Sequence, residues 1–268
     1  MRESSVALSD TTTGNGRSRN VRRALVAGLP LALLAHRAFP APDGGGVSAP
    51  LPAPGTQRFR VHYGDMSRGV VVAEVDYRLE HQGQSYEIRT LGQAVGMVAM
   101  FYSGVLVQSS IGRIGKDGFL PEQYRERRGR RPERVLRFDQ ARRSMIGLGD
   151  PPEVPMPAGT QDRLSVFYQV GLLARSTPER FRPGQRFTLP LASMKEVDMA
   201  SFTVVGPSSV STTRGALPAL HLRARNEADA DDPRFDVWLA TEHSMLPARI
   251  RVEESDGKVI DQVVAPAA

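Results

Sequence analysis

The stretch Thr160-Gln-Asp-Arg-Leu-Ser-Val-Phe-Tyr-Gln-Val-Gly-Leu-Leu-Ala174 is the one strongly helical segment in a chain that otherwise has the patterns of strands. Its apolar residues recur at the spacing of a single helix face, which carries Leu164, Phe167, Tyr168, Gly171 and Leu172. Further apolar residues widen this stripe on either side. A helix with so broad an apolar surface needs cover on most sides, so we expect it to lie at the centre of the fold.

Most of the remaining chain alternates between apolar and polar residues with the period of two that is typical of strands. The clearest example is residues 71–79, where charged residues alternate with Val71, Ala73, Val75, Tyr77 and Leu79. Helical periodicity is nearly absent elsewhere, which argues against a parallel sheet built from βαβ units. The sequence therefore predicts a mainly β fold, in which one large antiparallel sheet curls as a half-barrel around the single central helix.

Residues 1–41 have the pattern of an export signal. A cluster of Arg residues between Arg17 and Arg23 precedes the apolar run Ala24–Ala35, which is shorter than the roughly 20 residues needed to span a bilayer. A buried core helix is the alternative, but the run leads into a segment rich in Pro and Gly. We therefore expect an exported, periplasmic protein.

Residues 42–57 have the composition of a linker, because they combine several prolines with the run Gly44-Gly45-Gly46. We expect a single β-rich domain to follow at residues 58–268. The chain contains no Cys, which excludes disulfides, thiol catalysis, thiolate metal sites and a lipid-modified N-terminal Cys. The exported form should therefore be soluble after signal cleavage and should not be a lipoprotein.

The sequence offers little to support catalysis or a cofactor. Its histidines have no spacing typical of a metal site, and they are His36, His62, His81, His221 and His243. Neither a GxSxG nucleophile elbow nor a phosphate-binding glycine motif occurs. The acidic pairs Asp231-Asp232 and Glu253-Glu254 are typical of loops and strand ends. We therefore predict a non-enzymatic protein without a metal or cofactor.

The strongest charge feature is residues 125–143, which contain nine Arg against three acidic residues. Its centre is typical of a hairpin tip, and the ordinary interpretation is a solvated hairpin face. The alternative is a contact for anionic lipid or an acidic envelope protein, made by Arg127, Arg128, Arg130 and Arg131. Nucleic acid is not an expected partner, because no aromatic residues are interleaved for base stacking.

Residues 94–107 form the most apolar stretch of the predicted domain. Met97, Met100 and Phe101 are candidates for a flexible rim over an apolar cavity, because Met side chains adapt to varied surfaces. Ordinary core packing is the alternative. The full set of candidate ligand-binding residues is Met97, Met100, Phe101, Leu164, Phe167, Tyr168 and Trp238.

Four motifs in order resemble a bacterial exported family known as domain of unknown function 3108. They are Gly118-Phe-Leu-Pro121, Gln161-Asp-Arg-Leu-Ser165, Trp238-Leu-Ala240 with Leu246-Pro-Ala-Arg249, and Asp256-Gly257. The resemblance covers most of residues 58–264. It implies a periplasmic β-rich fold, similar in outline to the periplasmic lipoprotein carriers, whose open half-barrel encloses an apolar cavity. The family has no established catalytic residues to carry over.

Three functions follow from these observations. The first is a periplasmic carrier or sensor whose curved sheet binds an apolar ligand, such as a lipid or a lipoprotein. The second is an envelope structural or interaction protein with a filled core and a basic contact hairpin. The third is an unrecognised hydrolase. An empty apolar cavity would favour the first, a solid core around Phe167 and Leu172 the second, and carboxylates or histidines clustered in a cleft the third.

Overall fold

The computed structural model describes residues 47–265, apart from residues 102–103, 213–214, 225–233 and 255. All of these residues belong to one compact unit, residues 31–268, and the predicted export signal lies outside the described residues. The strands of this part are β1 Gly55–Tyr63, β2 Val70–Gln82, β3 Ser85–Ala94, β4 Val105–Gly115, β5 Gly118–Arg128, β6 Arg134–Asp139, β7 Ser144–Ile146, β8 Glu153–Pro155, β9 Arg186–Ala192, β10 Val197–Thr212, β11 Gly215–Ala224, β12 Arg234–Ala240, β13 Leu246–Glu253 and β14 Val259–Val264. The helices are α1 Gly96–Phe101, α2 Ser165–Ser176 and a short 3₁₀ helix, Pro178–Phe181. No helix in the described part of the chain is long and apolar enough to cross a membrane.

The fourteen strands form one antiparallel sheet. Its order runs from β8 down to β1, continues with β14, and then runs down to β9. The sheet is curved and unclosed, with β8 and β9 at its two edges. The mainly β fold with one curved antiparallel sheet and few helices is therefore confirmed.

Strand β2 illustrates why these residues form a sheet. Tyr77 and Leu79 point to one face and are buried, whereas Arg78 and Glu80 between and after them are exposed. The pattern continues across the sheet, because Cα partners in neighbouring strands share a face. On the solvent side Arg58 donates from Nε to Asp76 Oδ1 at 2.7 Å, which pairs β1 with β2.

Helix α2 is shorter at its start than predicted. The sequence pattern predicts a helix over residues 160–174, but the helix begins at Ser165 and ends at Ser176. The difference arises because Gln161 forms an isolated bridge with Leu191 of β9, while Asp162 turns the chain into the helix. The apolar face of α2 then packs against the sheet, as Phe167 does with Phe235 at 5.8 Å between ring centroids.

The two ends of the sheet differ. The α2 end carries the β2–β3, β4–β5 and β12–β13 turns, and helix α2 packs there against β5 and β13. The α1 end carries the β1–β2 and β5–β6 turns and helix α1, which packs against β2 and β3.

The predicted linker, residues 42–57, is partly built into the domain, and residues 42–46 lie outside the described residues. Strand β1 already begins at Gly55, and the Val47 amide donates to the Lys116 carbonyl at 2.7 Å. The Pro52 carbonyl oxygen lies 2.9 Å from Nε2 of His81, within hydrogen-bonding distance. Proline lacks an amide donor but keeps its carbonyl acceptor, so a proline-rich segment can still be bound in place by donors of its neighbours.

The packing of α2 gives a direct test of the architecture. Phe167 is 4% exposed, so Phe167→Ala should lower the free energy of unfolding by about 3–5 kcal/mol, as truncations of buried aromatic residues do. Urea unfolding followed by circular dichroism measures this change. Val205 is 44% exposed, and Val205→Ala should cost less than about 0.5 kcal/mol. Equal, small costs for both variants would contradict the central position of α2.

Candidate functional site

The inner face of the sheet is filled with side chains at the α2 end. Leu164, Phe167 and Tyr168 are at most 4% exposed, and all three belong to the packed core. Aromatic rings continue this core into the sheet. The ring centroid of Tyr168 lies 6.1 Å from that of Phe119, and the Phe119 centroid lies 4.9 Å from that of Tyr86. These three candidate ligand-binding residues therefore contact protein rather than an open surface.

The same face is less well covered at the α1 end. Four small or apolar residues there are half-buried, namely Ala73, Val75, Ala94 and Leu106. Their register places them on the inner face. Tyr77 and Thr90 are inward-facing Cα partners, and the pair Val75–Gly92 lies two positions further along the same strands, so it faces the same side. Leu106 is the Cα partner of Gly92 and therefore also faces inward. We name Ala73, Val75, Ala94 and Leu106 the open inner surface.

A row of buried polar side chains separates the open inner surface from the core. Thr90 Oγ1 donates to Gln108 Oε1 at 3.1 Å, and Gln108 Nε2 donates to Tyr124 OH at 2.7 Å and to Glu126 Oε2 at 3.1 Å. Tyr124 OH also donates to Glu126 Oε2 at 3.3 Å. The row crosses β3, β4 and β5 and ends at a carboxylate that is 1% exposed.

Two arginines neutralise this carboxylate. Arg128 donates from Nε to Glu126 Oε1 at 2.8 Å, and Arg134 of the next strand donates to the same oxygen. Burial by itself would raise the pKa of Glu126, but the hydrogen bonds and charges of Arg128 and Arg134 outweigh it and lower the pKa to about 2. Burial raises the pKa of Tyr124 well above its usual value, so the phenol stays protonated and can donate.

A second polar cluster joins helix α2 to the sheet. Asp162 Oδ1 accepts from the Leu164 and Ser165 amides at 2.8 and 3.0 Å, and Ser165 Oγ accepts in return from the Asp162 amide at 3.0 Å. This reciprocal arrangement is a capping box. Ser110 Oγ of β4 donates to Asp162 Oδ2 at 2.5 Å. Burial raises the pKa of Asp162, and the carboxyl is 0% exposed, so the cluster is structural and presents no group to a substrate.

Trp238 lies on the opposite face of the sheet from helix α2. It alternates along β12 with Val237 and Leu239, which share the inner face with Phe235. Its ring stacks on His221 at 4.3 Å, and the Arg249 guanidinium lies 4.6 Å from the ring centroid. Trp238 therefore cannot line one cavity together with Phe167, and the predicted site of seven residues is wrong in this respect.

Helix α1 presents its methionines to solvent. Met97 is 79% exposed and Met100 is 82% exposed, so ordinary core packing, the alternative interpretation, does not apply to them. The backbone of Phe101 ends the helix, but its side chain lies outside the described part of the structure. A role of these residues as the rim of a ligand site stays a prediction.

The four arginines of the predicted anionic contact separate into two groups. Arg127, Arg130 and Arg131 are exposed. The Arg128 side chain is only 16% exposed and binds Glu126, because β5 alternates and turns this residue inward. Arg128 therefore stabilises the interior, and its assignment as a surface contact is wrong.

The described residues contain no group of three or more His, Asp or Glu side chains that could hold a metal ion. His221 Nε2 lies 2.6 Å from Asp236 Oδ1, a pairing that also occurs in hydrolases. Here the same carboxylate oxygen accepts from Arg223 at 2.9 Å, and Trp238 covers one face of the imidazole. The pair lies on the outer face, away from the open inner surface.

Comparison with known proteins identifies the family. The sequence model of the family described as "Protein of unknown function (DUF3108)" matches residues 58–263, which is most of the chain. The chain belongs to this family. No curated protein matches it.

Three solved structures are similar to this member of the family. A β-barrel-like protein of domain of unknown function DUF1849 from Brucella abortus is 10% identical, with a TM-score of 0.48, and the match covers 80% of this chain and 96% of that one. A candidate lipoprotein from Parabacteroides distasonis is 7% identical, with a TM-score of 0.33, over 80% and 95% of the two chains. A candidate exported protein with a YmcC-like fold from Bacteroides fragilis is 11% identical, with a TM-score of 0.28, over 78% and 92%.

Sequence reasoning missed the buried polar row. Glu126 stands between Arg125 and Arg127, and a carboxylate inside an arginine-rich run is typical of a solvated strand. A usable signal was present in β4, where Gln108 and Ser110 occupy alternate positions and therefore share one face. Both are buried, and both donate to carboxylates.

The low pKa of Glu126 makes the stability of the protein depend on pH. The ion pairs stabilise the folded state fully above the unfolded-state pKa of 4.5, and this contribution is lost as the pH falls from there towards about 2. Glu126→Gln should therefore lower the free energy of unfolding at neutral pH by about 3 kcal/mol. The difference from wild type should shrink below about pH 4.

Urea unfolding at several pH values measures this effect. The control is Glu133→Gln, because Glu133 is 44% exposed and lies 3.6 Å from Arg125. An exposed pair of this kind contributes less than about 1 kcal/mol. A cost for Glu126→Gln that stays constant between neutral pH and pH 3 would show that charge does not hold Glu126 in place.

Proposed function

We propose that the protein is an exported, non-enzymatic binding protein of the cell envelope, which holds an apolar or lipid ligand on the open inner surface. One observation supports this proposal. Inward-facing Val75 and Leu106 are half-buried at the α1 end, whereas Leu79 and Ile88 of the same face are 3% and 0% exposed at the α2 end. Among the residues described, the concave face therefore offers half-buried apolar area at the α1 end of β2 and β4.

An apolar ligand would gain free energy by covering this surface. Burial of apolar area is worth about 25 cal/mol per Å². The polar row limits how deep such a ligand enters, because Glu126 already has its charge matched by Arg128 and Arg134. The acyl part of a ligand would lie against Val75 and Leu106, and a polar head would remain at the α1 end.

A second function is favoured by a different observation. Phe167 is 4% exposed and Leu172 is 1% exposed, so the interior around α2 is filled with protein side chains. A filled interior suits an envelope structural or interaction protein that acts through its outer surface. The two functions differ in whether the α1 end of the inner face binds a small apolar molecule, which can be measured.

The ligand site is tested by replacing one inward and one outward residue of β4. Leu106→Glu places a carboxylate on the open inner surface, whereas Val107→Glu places the same group on the outer face next to Leu91. We expect wild type and Val107→Glu to bind cis-parinaric acid, a fluorescent fatty acid, with similar affinity. Leu106→Glu should weaken binding at least about tenfold, because it replaces the apolar area that the ligand covers with a charged group beside Arg128, the Cα partner of Leu106.

Native mass spectrometry of protein purified from its own host should in addition find a retained lipid on wild type. If wild type neither binds the probe nor retains a lipid, the binding function is excluded and the interaction protein is the better assignment. Equal loss in both variants would place the binding on a surface other than the open inner surface.

Export is the remaining part of the proposal, and the Arg-rich leader followed by Ala24–Ala35 supports it. Fractionation of the host should find a shortened form in the periplasm. Deletion of residues 17–35 should leave the protein in the cytosol. A full-length cytosolic wild-type product would contradict export, whatever the outcome of the ligand measurements.

A further inference from the structure

The α1 end carries an exposed apolar surface. Met97 and Met100 of α1 are 79% and 82% exposed, Val70 at the start of β2 is 67% exposed, and Tyr63 at the end of β1 is 41% exposed. Tyr63 and Val70 are Cα partners in neighbouring strands, and α1 packs against β2 and β3. Exposed apolar side chains that are grouped in this way mark interaction sites more often than scattered ones do.

Basic side chains lie at the same end of the sheet. Arg127, Arg130 and Arg131 are exposed, and within the described residues their side chains form no ion pair. The Gly129 amide donates to the Val105 carbonyl at 2.8 Å, which places the β5–β6 tip beside the start of β4. Helix α1 leads into that strand, so the tip lies about two strand spacings, or roughly 10 Å, from β3. Arg68 in the β1–β2 turn is also exposed.

Two of the acidic residues described at this end form ion pairs, whereas Glu254 in the β13–β14 turn forms none among the described residues. Asp65 binds Arg251 at 2.7 Å, and Asp256 binds Lys258. The sequence of residues 225–233 is also acidic, and this link lies outside the described residues. The three unpaired arginines of the β5–β6 tip therefore give this tip a net positive charge.

We propose that this surface, formed by Met97, Met100, Val70, Tyr63, Arg127, Arg130 and Arg131, docks onto the surface of an anionic lipid bilayer. The arginines match the charge of the lipid phosphates. The methionines and Tyr63 enter the boundary between head groups and acyl chains, where flexible apolar side chains need no fixed partner. An acidic protein would match the charge of the arginines equally well. Its acidic surface, however, would offer no apolar contact to Met97 and Met100.

The inference goes beyond the proposed function, since docking requires no bound ligand. If the protein both binds a ligand and docks onto a membrane, docking would bring the open inner surface next to the membrane, because Ala94 lies close in sequence to α1. The ligand could then pass between the bilayer and the sheet without crossing water.

Vesicle co-sedimentation of the mature protein tests the inference. The vesicles contain phosphatidylglycerol and phosphatidylcholine in equal parts, or phosphatidylcholine alone, at low and at moderate salt. We expect wild type to bind the anionic vesicles at low salt and to release them as salt rises. Combined Arg127→Ser, Arg130→Ser and Arg131→Ser should lower the partition coefficient about 100-fold, since each basic residue contributes about fivefold near such a surface.

A matched control removes the same charge from the other end. Arg113, Lys116 and Arg142 are exposed near the β4–β5 and β6–β7 turns, and their replacement by Ser should change binding less than about threefold. Met97→Ser combined with Met100→Ser should weaken vesicle binding by the same factor at low and at moderate salt, because the contribution that is lost is apolar rather than electrostatic. The two sets of charge variants should bind cis-parinaric acid as wild type does, and Leu106→Glu should still bind vesicles.

Three outcomes would overturn the inference. The first is a wild type that ignores anionic vesicles at low salt, which would leave an acidic protein as the partner of the arginines. The second is equal loss in the triple variant and its control, which shows only a net-charge effect. The third is unchanged binding after replacement of both methionines, which removes α1 from the contact. Loss of probe binding with intact vesicle binding would overturn the ligand function alone.

Discussion

The junction at Gln161 and Asp162 is the constraint on which the rest of the structure depends. The Asp162 carboxylate caps helix α2 and accepts from Ser110 of β4, which fixes the start of the helix on the concave side. The Gln161 amide donates to the Pro190 carbonyl of β9, while its side chain donates to the Phe119 carbonyl of β5. Strands β5 and β9, which are far apart in the sheet order, are thereby both hydrogen-bonded to one short segment. A buried carboxyl at this point is tolerated because the Leu164 and Ser165 amides and the Ser110 hydroxyl all donate to it.

The position of α2 decides where the inner face is filled. A helix of twelve residues spans about 18 Å, which is shorter than the longer strands of this sheet. Its aromatic side chains fill the α2 end, and the polar row with Glu126 forms the boundary of the covered region. Beyond that boundary the inward residues Val75 of β2 and Leu106 of β4 are half-buried rather than fully buried. The ligand site proposed here therefore follows from the limited reach of one helix.

Charge is distributed unevenly between the two faces and the two ends. Inside, Glu126 is stable only because Arg128 and Arg134 compensate for its desolvation, so part of the arginine-rich run is structural. Outside, Trp238 is enclosed between His221 and Arg249, so its burial needs no contact with α2. Arg127, which neighbours Arg128 in sequence, faces solvent. Adjacent residues of one strand thus have opposite roles.

The sequence by itself determined the mainly β fold, the single central helix and the turns, because these depend on periodicity among residues that are close along the chain. The motifs that predicted the family are also properties of the sequence alone. Only the tertiary structure decided that Trp238 lies on the face away from Phe167, that Arg128 turns inward, and that Met97 is exposed rather than buried. These properties depend on register and on which distant strands meet. A strand alternates with a period of two whichever face is buried, so its local pattern leaves the choice of face to partners far away in the sequence.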